Sequence, residues 1–185
     1  MKKLLTVILA TIIFVFALTG CAGKTSPVQD RTEQIMTAIK EGNTDYLSKL
    51  SDVYATDDQT NYLPYQNVIE SYKPYIKTFT DNFSYEIKEI DDKKLTSTVK
   101  VTYIDGDELY SEIFQNDMKG LDDTITPAIE SVDTSKTITE TITLEFKEKD
   151  DGVILKAMSD ELYNIVTLGI YKPISDLMSN VNSLW

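Results

Sequence analysis

The stretch "SKTITETITLEFKEKDDGVILKAMSDEL", residues 135–162, decides the fold by its period. Ile138, Ile142, Leu144 and Phe146 fall on alternate positions, with threonines and charged residues between them. A period of two describes a long strand with one face buried and the other in water. Asp150-Asp151-Gly152 has turn chemistry, and Val153 to Met158 returns as the partner strand. Ser159-Asp160-Glu161 then starts a helix that carries Leu162, Ile165 and Val166 and is interrupted at Gly169. Pro173 opens a last amphipathic helix with Ile174, Leu177, Val181 and Leu184. One residue breaks the strand's apolar side: Glu140, between Ile138 and Ile142.

Upstream, the same period recurs. Phe83, Tyr85 and Ile87 alternate with polar neighbours, Asp91-Asp92-Lys93-Lys94 turns, and Ser97, Val99, Val101 and Tyr103 share the face of a second strand. Before this hairpin the period is helical. Asp30 and Glu33 open a helix through Ile35, Met36 and Ile39, which Gly42-Asn43 closes. Asp45 to Leu50 makes a short second helix. From Gln59 to Thr80, residues Tyr62, Tyr65, Val68, Ile69, Tyr72, Tyr75, Ile76 and Phe79 fall within about 140° of one another at 100° per residue. Pro64 fits a first turn there, and Pro74 kinks or restarts the helix. Between the hairpins, Asp105-Gly106-Asp107-Glu108 opens a helical insertion with Leu109, Tyr110, Ile113, Phe114, Met118 and Leu121 on one face.

The first residues read as an address. Lys2 and Lys3 precede an apolar run from Leu4 to Leu18, which is short of the about twenty residues a spanning helix needs. A basic start, a short apolar middle and small residues at its end make an export signal. Leu18-Thr19-Gly20-Cys21 resembles the lipobox of bacterial lipoproteins. That resemblance implies a diacylglyceryl group on the Cys21 sulfur and cleavage before it, so residues 1–20 are a signal peptide. Two acyl chains anchor stably where one is marginal. The expected partner is thus the bilayer, on the outer face of the plasma membrane. Residues 21–29 read as a lipidated flexible tether, and 30–185 as a single α+β domain.

Composition narrows the chemistry. The formal charge is −12 with Lys2 and Lys3 counted, and −14 without them. Such a body is repelled by nucleic acid and by anionic lipid heads; its acidity serves solubility, or suits a cationic peptide, a basic protein or a divalent metal. The chain has no histidine, which removes the commonest general base and the usual zinc ligands. No cofactor motif is present in the sequence.

Helices first, a hairpin, a helical insertion, a second long hairpin and a C-terminal helix make an α+β arrangement, with N-terminal helices packed on a curved antiparallel sheet. The segments "IMTAIKEGNTDYLSKLS", "FSYEIKEIDDKKLTSTVKVTY" and "ITLEFKEKDDGVILKAMSDELYNIVTLGI" resemble small Gram-positive surface lipoproteins with a nuclear transport factor 2-like domain. That resemblance implies a cone-shaped half-barrel, the fold also of ketosteroid isomerase and scytalone dehydratase. Enzymatic members carry Asp or His inside the cone; no such residue matches here, so no catalytic residue is assigned.

The candidate pocket is drawn from Glu140, Tyr72, Tyr85 and Tyr103. A carboxylate on the inner face would be desolvated and suited to a cationic ligand or to proton transfer. Tyrosines supply rings with polar tips for a sugar, a peptide or another amphipathic ligand. Asp105, Asp107 and Glu108 form the one acidic cluster dense enough to test with calcium, although their spacing is not that of an EF-hand. The resulting expectation is a non-enzymatic ligand- or protein-binding module of the envelope. The alternatives are a carboxylate-dependent enzyme in the same cone and a structural subunit of a membrane-associated complex.

Overall fold

A computed structural model describes residues 26–51, 73–107, 132–150 and 152–172. The lipobox residues Leu18, Thr19, Gly20 and Cys21, together with Tyr72, Glu108, most of the helical insertion and the segment 173–185, lie outside the described residues. Among those described, the elements in chain order are α1 (Pro27–Glu41), α2 (Thr44–Ser51), α3 (Lys73–Asn82), β1 (Ser84–Asp91), β2 (Thr96–Ile104), β3 (Thr137–Lys149), β4 (Gly152–Leu155) and α4 (Asp160–Val166). The fold is α+β, with an antiparallel sheet in the order β1-β2-β3-β4. No helix among the described residues is long and apolar enough to cross a membrane.

Both hairpins form where the period of two places them. Ser97, Val99, Val101 and Tyr103 of β2 and Ile142, Leu144 and Phe146 of β3 are buried on one face, while Thr139, Thr141 and Thr143 stay exposed on the other. β2 and β3 pair without a break, from Thr96 opposite Glu145 to Ile104 opposite Thr137. β1 carries a bulge between Ile87 and Glu89, so its alternation shifts halfway along. The return strand is shorter than the run from Val153 to Met158 predicts: β4 ends at Leu155 and pairs only with Phe146 to Lys149. The chain then leaves β3 to reach Ser159, whose hydroxyl accepts from the Leu162 N–H and caps α4.

α1 begins earlier than Asp30 predicts. Ser26 is its N-cap, accepting from the Gln29 N–H at 3.2 Å, and Pro27 takes the first turn. Ser26 also donates to Asp92 in the β1–β2 turn, and Val28 is fully buried. Residues 26–29 therefore belong to the folded domain rather than to a tether. From there Val28, Thr32, Ile35, Met36 and Ile39 make the buried stripe that lies on the sheet. Within it, Thr32 Oγ1 donates to Ser97 Oγ at 2.7 Å, so the buried polar group of β2 is satisfied from the helix above.

Gly42 ends α1 in the left-handed region, with φ 63°, against Ile76 of α3. Lys40, in the last turn of α1, donates to the carbonyls of Thr80 and Phe83 and so caps the end of α3. α3 carries Pro74 in its first turn and runs on to Asn82, while the stretch from Gln59 to Tyr72 lies outside the described residues. Its Tyr75 and Phe79 are fully buried. Phe79 stands 5.8 Å from the Phe83 ring and 5.9 Å from the Tyr103 ring, which joins α3 to the sheet through aromatic contact.

Candidate functional site

The end of β2, the start of β3 and α4 enclose a cavity of about 320 Å³ lined by Tyr103, Ile138, Glu140, Asp160, Glu161, Asn164, Tyr171 and Lys172. Each wall follows from local structure. Glu140 is carried to the core side of β3 by strand alternation, in a stretch where the β2–β3 register is regular. No bulge turns it outward, and it is half-buried at the mouth of the core. Tyr103 lies diagonally across on β2, opposite Ile138, and its hydroxyl donates to Glu140 Oε1 at 2.8 Å.

Asn164 completes the network. It is 5 % exposed, on the inner side of α4 among Leu162, Tyr163, Ile165 and Val166. Its Nδ2 donates to the Tyr103 oxygen at 3.2 Å, and its Oδ1 accepts from the Lys172 N–H at 2.9 Å. One amide thus fixes both the phenol and the backbone that presents Tyr171 and Lys172. The Tyr171 ring meets Tyr163 edge-on at 4.7 Å. Burial, with Glu140 accepting the phenol proton as the next cause, pushes the Tyr103 hydroxyl well above the usual tyrosine range. Tyr103 is therefore a neutral donor, and it holds the Glu140 carboxylate in place.

The loop after α4 explains how the wall closes over Tyr103. Leu168 and Gly169 both take left-handed backbone, with φ of 62° and 76°. A Cβ on Gly169 would lie 3.4 Å from the Tyr103 ring. A Cβ on Gly106, just past β2, would fall 2.1 Å from the Gly169 carbonyl oxygen. Two glycines thus allow backbone to approach backbone behind the cavity.

Of the residues singled out in the sequence, the structure brings Tyr103 and Glu140 together. Tyr85 goes elsewhere: its ring packs on Phe83 at 6.2 Å and its hydroxyl sits 3.3 Å from Thr37 Oγ1 of α1. Asp105 Oδ1 accepts from the Asp107 N–H at 3.0 Å, a local turn contact. Among the described residues no group of three or more acidic or thiol side chains could hold a metal ion. Asn164, Tyr171 and Lys172 were not foreseen; a polar residue inside the apolar run of α4 is the signal that marks Asn164.

A larger depression, about 460 Å³, runs along α1 between Asp30 and Tyr46. Its carboxylates, Asp30, Glu33 and Glu41, are exposed on one helix face. The smaller cavity draws on several elements, has a connected polar floor and an aromatic wall, and is the better candidate. Comparison with protein-family models, with curated proteins and with solved structures finds no match for the chain.

Proposed function

We propose that this chain is an extracytoplasmic lipoprotein, anchored through Cys21 on the outer face of the plasma membrane, whose domain binds a cationic ligand with an apolar body. The helix-on-sheet layout is compatible with the cone of a nuclear transport factor 2-like domain, and this is the topology we assign to it. The reading is that of a non-enzymatic binding module. The observation that carries it is the Glu140 carboxylate, fixed by Tyr103 and Asn164 and opening on a cavity whose mouth holds Asp160 and Glu161.

Among the described residues the Tyr103 phenol bonds one Glu140 oxygen, which leaves the second for a ligand. Tyr171 adds an aromatic surface, on which a cation is worth about 0.5–2 kcal/mol. Lys172 is the one cation among the described lining residues, at the exposed rim. Binding also fits these groups better than proton transfer does. Asp160 and Glu161 are exposed, and a general acid wants a desolvated carboxyl.

Thermal-shift titration of the full chain in detergent tests this. Spermidine and lysine amide are expected to raise the melting temperature in a saturable way, while glutamate and glucose leave it unmoved. Glu140→Gln should abolish the rise. Equal responses to cation, anion and sugar would refute the proposal.

A further inference from the structure

Among the described residues the sheet carries an open edge beside this cavity. β4 covers β3 only from Phe146 to Lys149, and the Lys156 N–H reaches one residue further, to the Glu145 carbonyl. Strand alternation fixes what lies beyond. Lys136 and Phe146 direct their backbone groups to β2, whereas Glu145 directs its own to the β4 side. The N–H and C=O groups of Thr139, Thr141 and Thr143 therefore point away from β2, along an edge that no strand among the described residues pairs with.

Among the described residues this edge lacks the usual protection. The opposite edge, β1, has a bulge and the exposed charges of Glu86, Lys88 and Glu89, devices that discourage a further strand. The open part of β3 has a regular register and exposes uncharged threonines. The residue facing an added strand on the inner side is Glu140, with Ile138 beside it in the cavity wall.

Resting on the binding reading above, we infer that the ligand is an extended basic peptide. It adds to the Thr139–Thr143 edge as a strand and places a lysine or arginine opposite Glu140. Backbone hydrogen bonds supply sequence-independent affinity, and the alternate side chain entering the cavity supplies selectivity. Directly opposite residues on one sheet face bring their Cβ atoms to about 5 Å, within reach of an ion pair. Charge favours this occupant over a second copy, since two bodies of −14, counted without Lys2 and Lys3, repel each other.

The test uses the full chain in detergent, with a capped peptide of about seven alternating threonines and lysines, a strand's usual length. A second peptide is N-methylated at the amides that would face β3, and lysine amide serves as a cavity-only probe. Hydrogen exchange should slow at the Thr139, Thr141 and Thr143 amides when the first peptide binds. N-methylation should weaken binding by about tenfold or more, since it removes several backbone bonds at once. Glu140→Gln should remove the preference for lysine over a neutral threonine peptide and leave the amide protection in place. If both peptides bind equally and the amides exchange unchanged, the added strand is refuted while the cavity reading stands. Binding of neither peptide nor lysine amide refutes both. Protection that grows with protein concentration alone would assign the edge to a second copy and overturn the inference.

Discussion

The Tyr103 hydroxyl donates to Glu140 Oε1 across 2.8 Å, linking β2 to β3 at the point where the sheet's buried face opens to solvent. The same oxygen accepts from Asn164, so one phenol joins two strands and α4. Tyr103 is 2 % exposed, and its ring is held by Phe79 from α3. Replacing it with phenylalanine keeps the ring and leaves the buried Asn164 amide without that acceptor. Tyr103→Phe should cost about 1–3 kcal/mol, read as a lowered denaturant midpoint at constant slope. An unchanged midpoint would deny the hydroxyl its structural role.

Tyr75 is the contrasting case. It is fully buried on α3, and its hydroxyl has no hydrogen-bond partner among the described residues. Its phenol is desolvated with no compensating bond among the described residues. Tyr75→Phe should be neutral or stabilise by up to about 1 kcal/mol, measured by the same denaturation.

Alkaline titration should expose both residues. Burial holds the Tyr75 and Tyr103 hydroxyls above the ordinary tyrosine value of 10.0, with Asp105 adding repulsion at Tyr75 and Glu140 at Tyr103. A raised value in the folded state means that the stabilisation is fully present below pH 10 and is lost as pH climbs beyond it. The melting temperature should therefore drop above pH 10, and less steeply in the Tyr75→Phe/Tyr103→Phe double variant. The same slope in both proteins would count against this origin.

The backbone contact behind the cavity makes a sharp comparison of two glycines. Gly106→Ala drives a methyl group toward the Gly169 carbonyl and should destabilise by about 1–3 kcal/mol or more. Gly152→Ala, at the start of β4, meets nothing within 4 Å and should be near neutral. Differential scanning calorimetry of the two variants gives the order directly.

Much of this was legible because strands repeat every second residue. The core face of β2 and the acid on the apolar side of β3 were both visible in that alternation. Other features depend on partners distant in sequence. Ser26-Pro27 is a helix start hidden in a run of small polar residues, and only the burial of Val28 and the bond to Asp92 reveal it. Tyr85 shares a cross-strand row with Val101 and Glu140, yet Val101 stands between them and Thr37 of α1 meets its hydroxyl. The open edge of β3 follows from the early end of β4, which no periodicity encodes. Asn164 acquires its meaning only when α4 is folded back over Tyr103.

Anchoring has its own check. Mass spectrometry of the native protein should find a chain that starts at Cys21 and carries a diacylglyceryl group. Cys21→Ala should leave an uncleaved precursor or release the protein. A full-length chain with a free thiol would contradict the anchor and leave the cavity argument untouched.

The most direct measurement of ligand binding is a chemical-shift map of the full chain in detergent during a titration with lysine amide. Saturable shifts are expected at Tyr103, Ile138, Glu140, Asn164, Tyr171 and Lys172, and their loss in Glu140→Gln. Shifts confined to the α1 depression around Glu33, Thr37 and Glu41, or no saturable shift at all, would contradict it.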